Sequence, residues 1–159
     1  MPDSQPNAPT YPFTAFNFAV EIHKGDEPAL LCSAAFSECD GLEMTMEVKT
    51  IREGGNNGRQ IRLNGPFAFG QLTLKRGMTS NFDLWNWFNE SLENPRLRAK
   101  AEIVIFAADR TTKSARFVIS RCVPIKLKAP ALNAKDGQIA IEELQLAYES
   151  IQLSPAKQS

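Results

Sequence analysis

Apolar and polar residues alternate along much of this chain, and a period of two is typical of β-strands that bury one face. The clearest run begins at residue 42. Its apolar positions are Leu42, Met44, Met46 and Val48, and its polar positions are Glu43, Thr45, Glu47 and Lys49. We expect one face of this strand to lie in the core and the other to meet water or a neighbouring molecule.

The same pattern predicts further strands at residues 16–22, 30–36, 61–63, 71–76, 99–108, 115–122, 125–127 and 138–153. Asn64-Gly65-Pro66 is expected to end the short piece at 61–63. Pro124 is expected to bend or end the strand that reaches Cys122. In the last strand the apolar positions change parity near Glu142-Glu143, which predicts a bulge there or a transfer between two sheets.

One stretch, residues 81–93, has helical spacing instead. Ser80 is the expected N-cap, and Asn94-Pro95 is the expected stop. The predicted docking face consists of Phe82, Trp85, Phe88 and Leu92. Leu84 and Trp87 lie off that stripe, so they belong either to a second buried face or to a contact with another subunit.

These elements predict a mainly β fold, in which two packed antiparallel sheets form a barrel-like sandwich and the helix covers an open end. With 159 residues the chain is long enough for one domain with its own core. We place that domain at residues 13–153. Residues 1–12, with four of the ten prolines, are expected to be a flexible tail, and residues 154–159 a loose C-terminal segment.

Residues 52–59 interrupt the pattern with a polar segment, Arg52-Glu53-Gly54-Gly55-Asn56-Asn57-Gly58-Arg59. It is too long for a two-residue hairpin turn, and its glycines and asparagines tolerate positive φ. Two interpretations remain open. The segment is an ordinary mobile loop, or it is a projecting arm whose charges pair across an interface.

Composition is ordinary for a globular chain, and the net charge is zero. This argues against a dedicated nucleic-acid binder. The charge is unevenly spread: residues 1–53 carry a net −6, residues 54–135 a net +9 and residues 136–159 a net −3. Opposite charges either interleave as strands of one molecule or occupy different surfaces that favour head-to-tail association.

Candidate catalytic and metal chemistry is weak. The one histidine, His23, lies on the polar face of a strand. The three cysteines, Cys32, Cys39 and Cys122, lack metal-site spacing and are expected to be buried free thiols. The glycine-rich segment matches neither phosphate-binding spacing. No apolar run approaches the about 20 residues of a membrane span, and the N-terminus lacks the regions of a signal peptide, so we expect assembly in the cytoplasm.

Several short motifs, in order, resemble the tail tube proteins of contractile bacteriophages and of phage-tail-like contractile injection systems, a fold group that includes the type VI secretion tube protein. The motifs are Phe18–Ile22, Phe36–Leu42, the Arg-Glu-Gly-Gly segment at 52–55, Leu74–Gly77 before a Trp-containing helix, and Glu142–Glu149. The similarity spans residues 13 to 152.

This resemblance implies a structural protein without a cofactor. Its partners would be copies of itself in stacked six-membered rings, a sheath protein, baseplate or spike proteins, and a DNA or protein cargo in the bore. Residues 52–59 are then the expected inter-subunit contact, and Lys75, Arg76 and Trp87 are further interface candidates. The particle would be a virion tail or a free contractile particle.

Three alternatives stay open. The proline-rich start departs from the family pattern and could mark a tube initiator or baseplate adaptor. A ligand- or carbohydrate-binding β-sandwich would need a pocket with exposed aromatic residues. A small hydrolase would need His23 to converge with a cysteine or an acid.

Overall fold

The computed structural model describes residues 12–13, 16–25, 30–55, 58–135 and 137–155. These residues form ten strands and one helix. The elements are β1 (Phe18–Lys24), β2 (Leu30–Ala34), β3 (Glu38–Asp40), β4 (Met44–Arg52), β5 (Gln60–Phe69), β6 (Gln71–Gly77), α1 (Asp83–Glu93), β7 (Ala99–Phe106), β8 (Lys113–Lys128), β9 (Ile141–Ala147) and β10 (Ser150–Pro155).

Strand β8 organises the body of the molecule. The strands follow the order β2-β1-β7-β8-β9-β6-β3, every pair antiparallel, with β10 also paired to β8. The first part of β8 pairs with β7 and β10, and the part from Val123 onward pairs with β9. Between them Arg121 has a φ of 56°, in the left-handed region. The 16-residue strand therefore serves two sheets.

The two sheets enclose one core. Its fully buried aliphatic side chains come from both: Val20, Ile22, Ala101 and Ile119 from one sheet, and Leu72, Leu74, Leu144 and Leu146 from the other. The predicted mainly β fold of two packed antiparallel sheets with one helix is confirmed. Within the described residues no pairing joins edge strands β2 and β3, so the sheets form an open sandwich rather than a closed barrel.

Helix α1 begins two residues later than predicted, and Ser80 is not its cap. The Asn81 side chain accepts a hydrogen bond from the Asp83 amide at 3.0 Å, and the N-cap position is Phe82. The predicted docking stripe was also wrong. Phe82 and Leu92 are exposed, whereas Leu84 and Trp87 are the buried residues of the helix.

The helix packs at one end of the sandwich. Glu90 forms an ion pair with Lys24 at the end of β1, and the Asn81 carbonyl accepts a hydrogen bond from Arg76 Nη2 at 3.2 Å. Strand β6 runs from Gln71, at the far end, to Gly77 beside the helix, a span of about 20 Å at ~3.3 Å per residue. The molecule thus has a helix-covered pole and an opposite pole.

Three strand boundaries differ from the prediction. Asn64-Gly65-Pro66 does not end a strand, because β5 continues through it with a shift in register. Pro124, which lacks a donor, lies inside β8 beside another register shift. The last predicted strand divides into β9 and β10 around Tyr148-Glu149, six residues beyond the predicted change. Strand β10 includes Ser154 and Pro155, whereas residues 1–11 and 156–159 lie outside the described residues.

Candidate functional site

The hairpin formed by β4 and β5 is a separate two-stranded sheet attached to the pole opposite the helix. All nine residues of β4 are exposed. The prediction that one face of this strand lies in the core was therefore wrong for the single chain: Met44 is 68% exposed, and Met46 and Val48 are exposed as well. Strict alternation identified the apolar face, but it could not show that this face has no partner within its own molecule.

Hydrogen bonds from Tyr148 fix the root of the hairpin. The buried Tyr148 hydroxyl donates to the Gly41 carbonyl at 2.8 Å and accepts from the Glu43 amide at 3.2 Å. The Gly70 amide donates to the Glu43 carbonyl at 3.1 Å, closing the base where both strands leave the body. The hairpin is therefore held to β9 at a defined point.

Gly41 is required at that root for two reasons. Its φ of +99° is unfavourable for other residues, and an added Cβ would lie 1.9 Å from the Gln71 carbonyl oxygen. Only a residue without a side chain allows the two backbones to approach so closely. Gly41, directly after β3, therefore sets the direction in which the hairpin projects.

A bulge divides the hairpin into two halves. Met46 pairs with Phe67, but Val48 pairs with Asn64, so β5 has one extra residue at Gly65-Pro66. The extra residue shifts the alternation of β5. Positions of the same parity in β5 therefore lie on one face of the hairpin before the bulge and on the opposite face beyond it. We call the apolar face nearer the body the root patch, Met44, Met46, Val48 and Phe67, and the apolar face beyond the bulge the tip patch, Ile51, Ile61 and Leu63.

The connecting segment lies at the tip of the hairpin. Arg52, Glu53 and Arg59 are exposed, and none of them forms an ion pair with the described part of the chain. Gly55 has a φ of +99°. Among the described residues no atom outside the adjoining chain lies within 4 Å of a Cβ added at Gly54, Gly55 or Gly58. The predicted contact residues Asn56 and Asn57 lie outside the described residues.

The further interface candidates all make contacts within the molecule. Lys75 is half-buried and pairs with Glu38 at 3.2 Å. Arg76 is 4% exposed, and Trp87, 2% exposed, belongs to the hydrophobic core. Internal contacts therefore account for the last two side chains.

Sequence reasoning missed a buried charged cluster around Arg76. Arg76 Nε donates to Glu142, which is 1% exposed, and Nη1 donates to Cys32 Sγ at 3.3 Å. The other Glu142 oxygen accepts from Trp85 Nε1 at 3.0 Å, which ties the helix to β9. A signal was present, since Arg76 continues the inward parity of Leu72 and Leu74, and Glu142 precedes Leu144 and Leu146 in the same way.

Interleaved strands account for much of the uneven charge. The acidic N-terminal region supplies Glu38 to Lys75, and the acidic C-terminal region supplies Glu142 to Arg76 and Glu149 to Arg121, the last pair 2.6 Å apart. Opposite charges from distant parts of the sequence therefore meet within one molecule, as the first of the two interpretations expected.

The cysteines do not form a reactive or metal-binding group. All three are free thiols, as predicted. Burial raises the pKa of Cys122 to about 12 and that of Cys39 to about 11, where the neighbouring Asp40 charge contributes. Among the described residues no group of three or more His, Cys, Asp or Glu side chains could hold a metal ion, and no helix has the length and apolar character to cross a membrane.

A cavity of about 470 Å³ lies at the hairpin pole, between β1 and β7 on one side and β3 on the other. Its lining is mostly apolar, with Phe13, Phe18, Leu42 and Ile105 among the contacts. The polar groups beside it are already engaged, because the Ser37 hydroxyl donates to the Lys75 carbonyl and Glu38 pairs with the Lys75 side chain. This leaves few free polar groups for a sugar.

Comparison with protein families gives one match. Residues 14–152 match the model of the family described as T4-like virus tail tube protein gp19. The comparison with curated protein sequences gives no match.

Solved structures have the same fold. A chain in the sixfold-symmetrised baseplate of the anti-feeding prophage superimposes with a TM-score of 0.81 at 25% identity, covering 94% of this chain and 99% of that one. A chain in the extended sheath-tube complex of the extracellular contractile injection system PVC gives 0.77 at 22% identity, covering 92% and 93%. The SPP1 tail tube gives 0.61 at 9% identity, covering 91% and 80%.

Proposed function

This chain belongs to the T4-like virus tail tube protein family and is a structural subunit of a tail-type tube, and we propose that it closes into six-membered rings that stack through the β4–β5 hairpin into a hollow conduit. A contracting sheath would drive that conduit through a target envelope. The sixfold symmetry of the anti-feeding prophage baseplate supports the ring size.

The observation that carries this proposal is the exposed apolar surface of the hairpin. Six large apolar side chains of the hairpin are between 46% and 68% exposed within the described part of the chain: Met44, Met46, Val48, Ile51, Leu63 and Phe67. Fully burying one such side chain contributes about 1.5–3 kcal/mol, so half burial of all six gives on the order of 5–9 kcal/mol. Association costs roughly 4–15 kcal/mol, so several copies acting together are needed.

The charged tip would add specificity to this contact. We propose that Arg52, Glu53 and Arg59 pair with charges on a neighbouring copy of the chain. Lys75, at the rim of the body, is a weaker candidate for the same role.

The partners of the assembled tube follow from this role. We propose a sheath protein on its outer surface, baseplate or spike proteins at one end, and DNA or a protein effector as cargo in the lumen. The relatives are chains of sheath-tube and baseplate complexes, which supports the first two. We propose assembly in the cytoplasm, a final place in a virion tail or free contractile particle, and no enzymatic activity.

A tube initiator next to the baseplate is a second candidate. It is favoured by the baseplate relative, whose TM-score and identity both exceed those of the sheath-tube relative. The two roles differ in outcome, because a repeating subunit extends into long tubes by itself, whereas an initiator stops at one or two rings.

Electron microscopy and light scattering of the purified protein test the proposal. We expect sixfold rings and stacks of rings. The variant Arg52→Ala/Glu53→Ala should keep the fold and lose stacking, whereas Lys100→Ala/Glu102→Ala, which removes a charge pair 3.3 Å apart at the central strand β7, should still stack. A protein that stays monomeric at high concentration and binds glycans would overturn the proposal.

A further inference from the structure

The two apolar patches of the hairpin lie on opposite faces. Next to the body, Met44 and Met46 share a face with Phe67, while Thr45 and Ala68 occupy the other face. Beyond the bulge, Thr50 and Arg62 share the face that carried the methionines. The apolar residues there, Ile51, Ile61 and Leu63, lie on the face that carried Thr45.

The crossover is built into the backbone. Pro66 donates no hydrogen bond, and an added Cβ on Gly65 would lie 2.5 Å from the Glu47 carbonyl oxygen. Proline and glycine therefore both suit the backbone of the bulge. Among the described residues both patches are exposed apart from Ile61, which is half-buried. A hairpin designed to lie against one surface would keep its apolar side chains on one face, as half-buried strands do.

We propose that the hairpin is held between two different copies of this chain, with the root patch against a neighbour in the same ring and the tip patch against a copy in the next ring. This inference rests on the proposed tube function. A two-stranded sheet presents its faces in opposite directions, with packed surfaces about 10 Å away on either side. One rigid partner surface therefore does not cover both patches.

Position along the hairpin assigns each patch to its partner. Leu42, two residues before Met44, lines the cavity in the body, so the root patch adjoins the body and we assign it to a neighbour beside that body. Ile51 lies seven residues beyond Met44, about 23 Å farther at ~3.3 Å per residue. The tip patch therefore lies much farther from its own body than the root patch, and we assign it to a copy in the next ring.

Two matched variants separate the contacts. Met44→Thr/Met46→Thr removes apolar surface from the root patch, and Ile51→Thr/Leu63→Thr removes it from the tip patch. Threonine keeps a high β propensity, and all four residues are exposed, so the monomer should remain folded by circular dichroism and urea unfolding. Thr45→Ser and Thr50→Ser serve as controls on the polar face at each level.

Size-exclusion chromatography with light scattering and negative-stain microscopy then distinguish the assembly steps. We expect the root variant to remain monomeric, and the tip variant to form single rings with at least about a tenfold loss of stacked rings. Loss of rings in both variants, or normal stacking in either, would overturn the two-partner assignment. Failure of the unmodified protein to form rings would instead overturn the proposed function.

Discussion

Removing one member of the buried pair Arg76 and Glu142 is expected to destabilise the body severely. Glu142→Gln keeps the size of the side chain but removes the charge that faces Arg76, which is 4% exposed. The guanidinium cannot lose its proton and remains charged. Its remaining partners, Cys32 Sγ and the Asn81 carbonyl, are neutral and do not replace a carboxylate.

The size of the effect follows from burial. Breaking a buried ion pair by deleting one partner typically costs 3–5 kcal/mol, and a domain of this size has about 5–15 kcal/mol of total stability. In Glu142→Gln the side-chain amide has one acceptor oxygen for two donors, Arg76 Nε and Trp85 Nε1. One of the two hydrogen bonds is therefore lost. We expect a loss of about 3–5 kcal/mol.

Replacing both partners should cost much less. Arg76→Met/Glu142→Leu leaves no buried charge, so its free energy of unfolding should lie closer to the unmodified value than either single variant.

Urea unfolding followed by circular dichroism measures these differences. The root-patch variant supplies a monomeric background, and a midpoint independent of protein concentration verifies it. Two results would refute the expectation that removing one partner of this buried pair costs more than removing both. One is a decrease in the free energy of unfolding below about 1 kcal/mol for Glu142→Gln, and the other is additive decreases in the double variant.

Three further predictions concern the root of the hairpin and the thiols. Tyr148→Phe removes the hydroxyl that binds the Gly41 carbonyl and should cost about 1–3 kcal/mol, with faster hydrogen exchange at the Glu43 amide; unchanged exchange would contradict the assigned contact. Gly41→Ala should prevent ring formation because its Cβ meets the Gln71 carbonyl, whereas normal rings would show that the root can shift. Cys122, with a pKa raised to about 12, should resist a thiol reagent at pH 8 until the protein is unfolded, and rapid labelling of the native protein would disprove its burial.

Local patterns in the sequence predicted most of the body. Alternation predicted strands at residues 71–76 and 99–108, and Leu72, Leu74, Ile103 and Val104 are buried in the strands found there. The helix was found, but its buried face was misplaced, because Phe82 precedes the helix and helical spacing alone did not distinguish the predicted stripe from the neighbouring one that contains Leu84 and Trp87.

The predictions that failed were those that depended on which surface or strand a segment packs against. Met44 and Met46 alternate as core residues do, but within the described part of the chain they are 68% and 48% exposed. The bulge at Gly65-Pro66 was taken for the end of a strand, since glycine and proline suit both, and register depends on the opposite strand. Two-faced hairpins of this kind are therefore invisible to periodicity alone.

The helix-covered pole and the hairpin pole of this molecule have different chemistry, and a stack built by repeating one contact inherits that difference at its two termini. In the proposed stack one terminus would present unoccupied hairpins, and the other would present the surfaces that receive them. Elongation would then be directional, and the component that occupies the first terminus would decide where each particle begins.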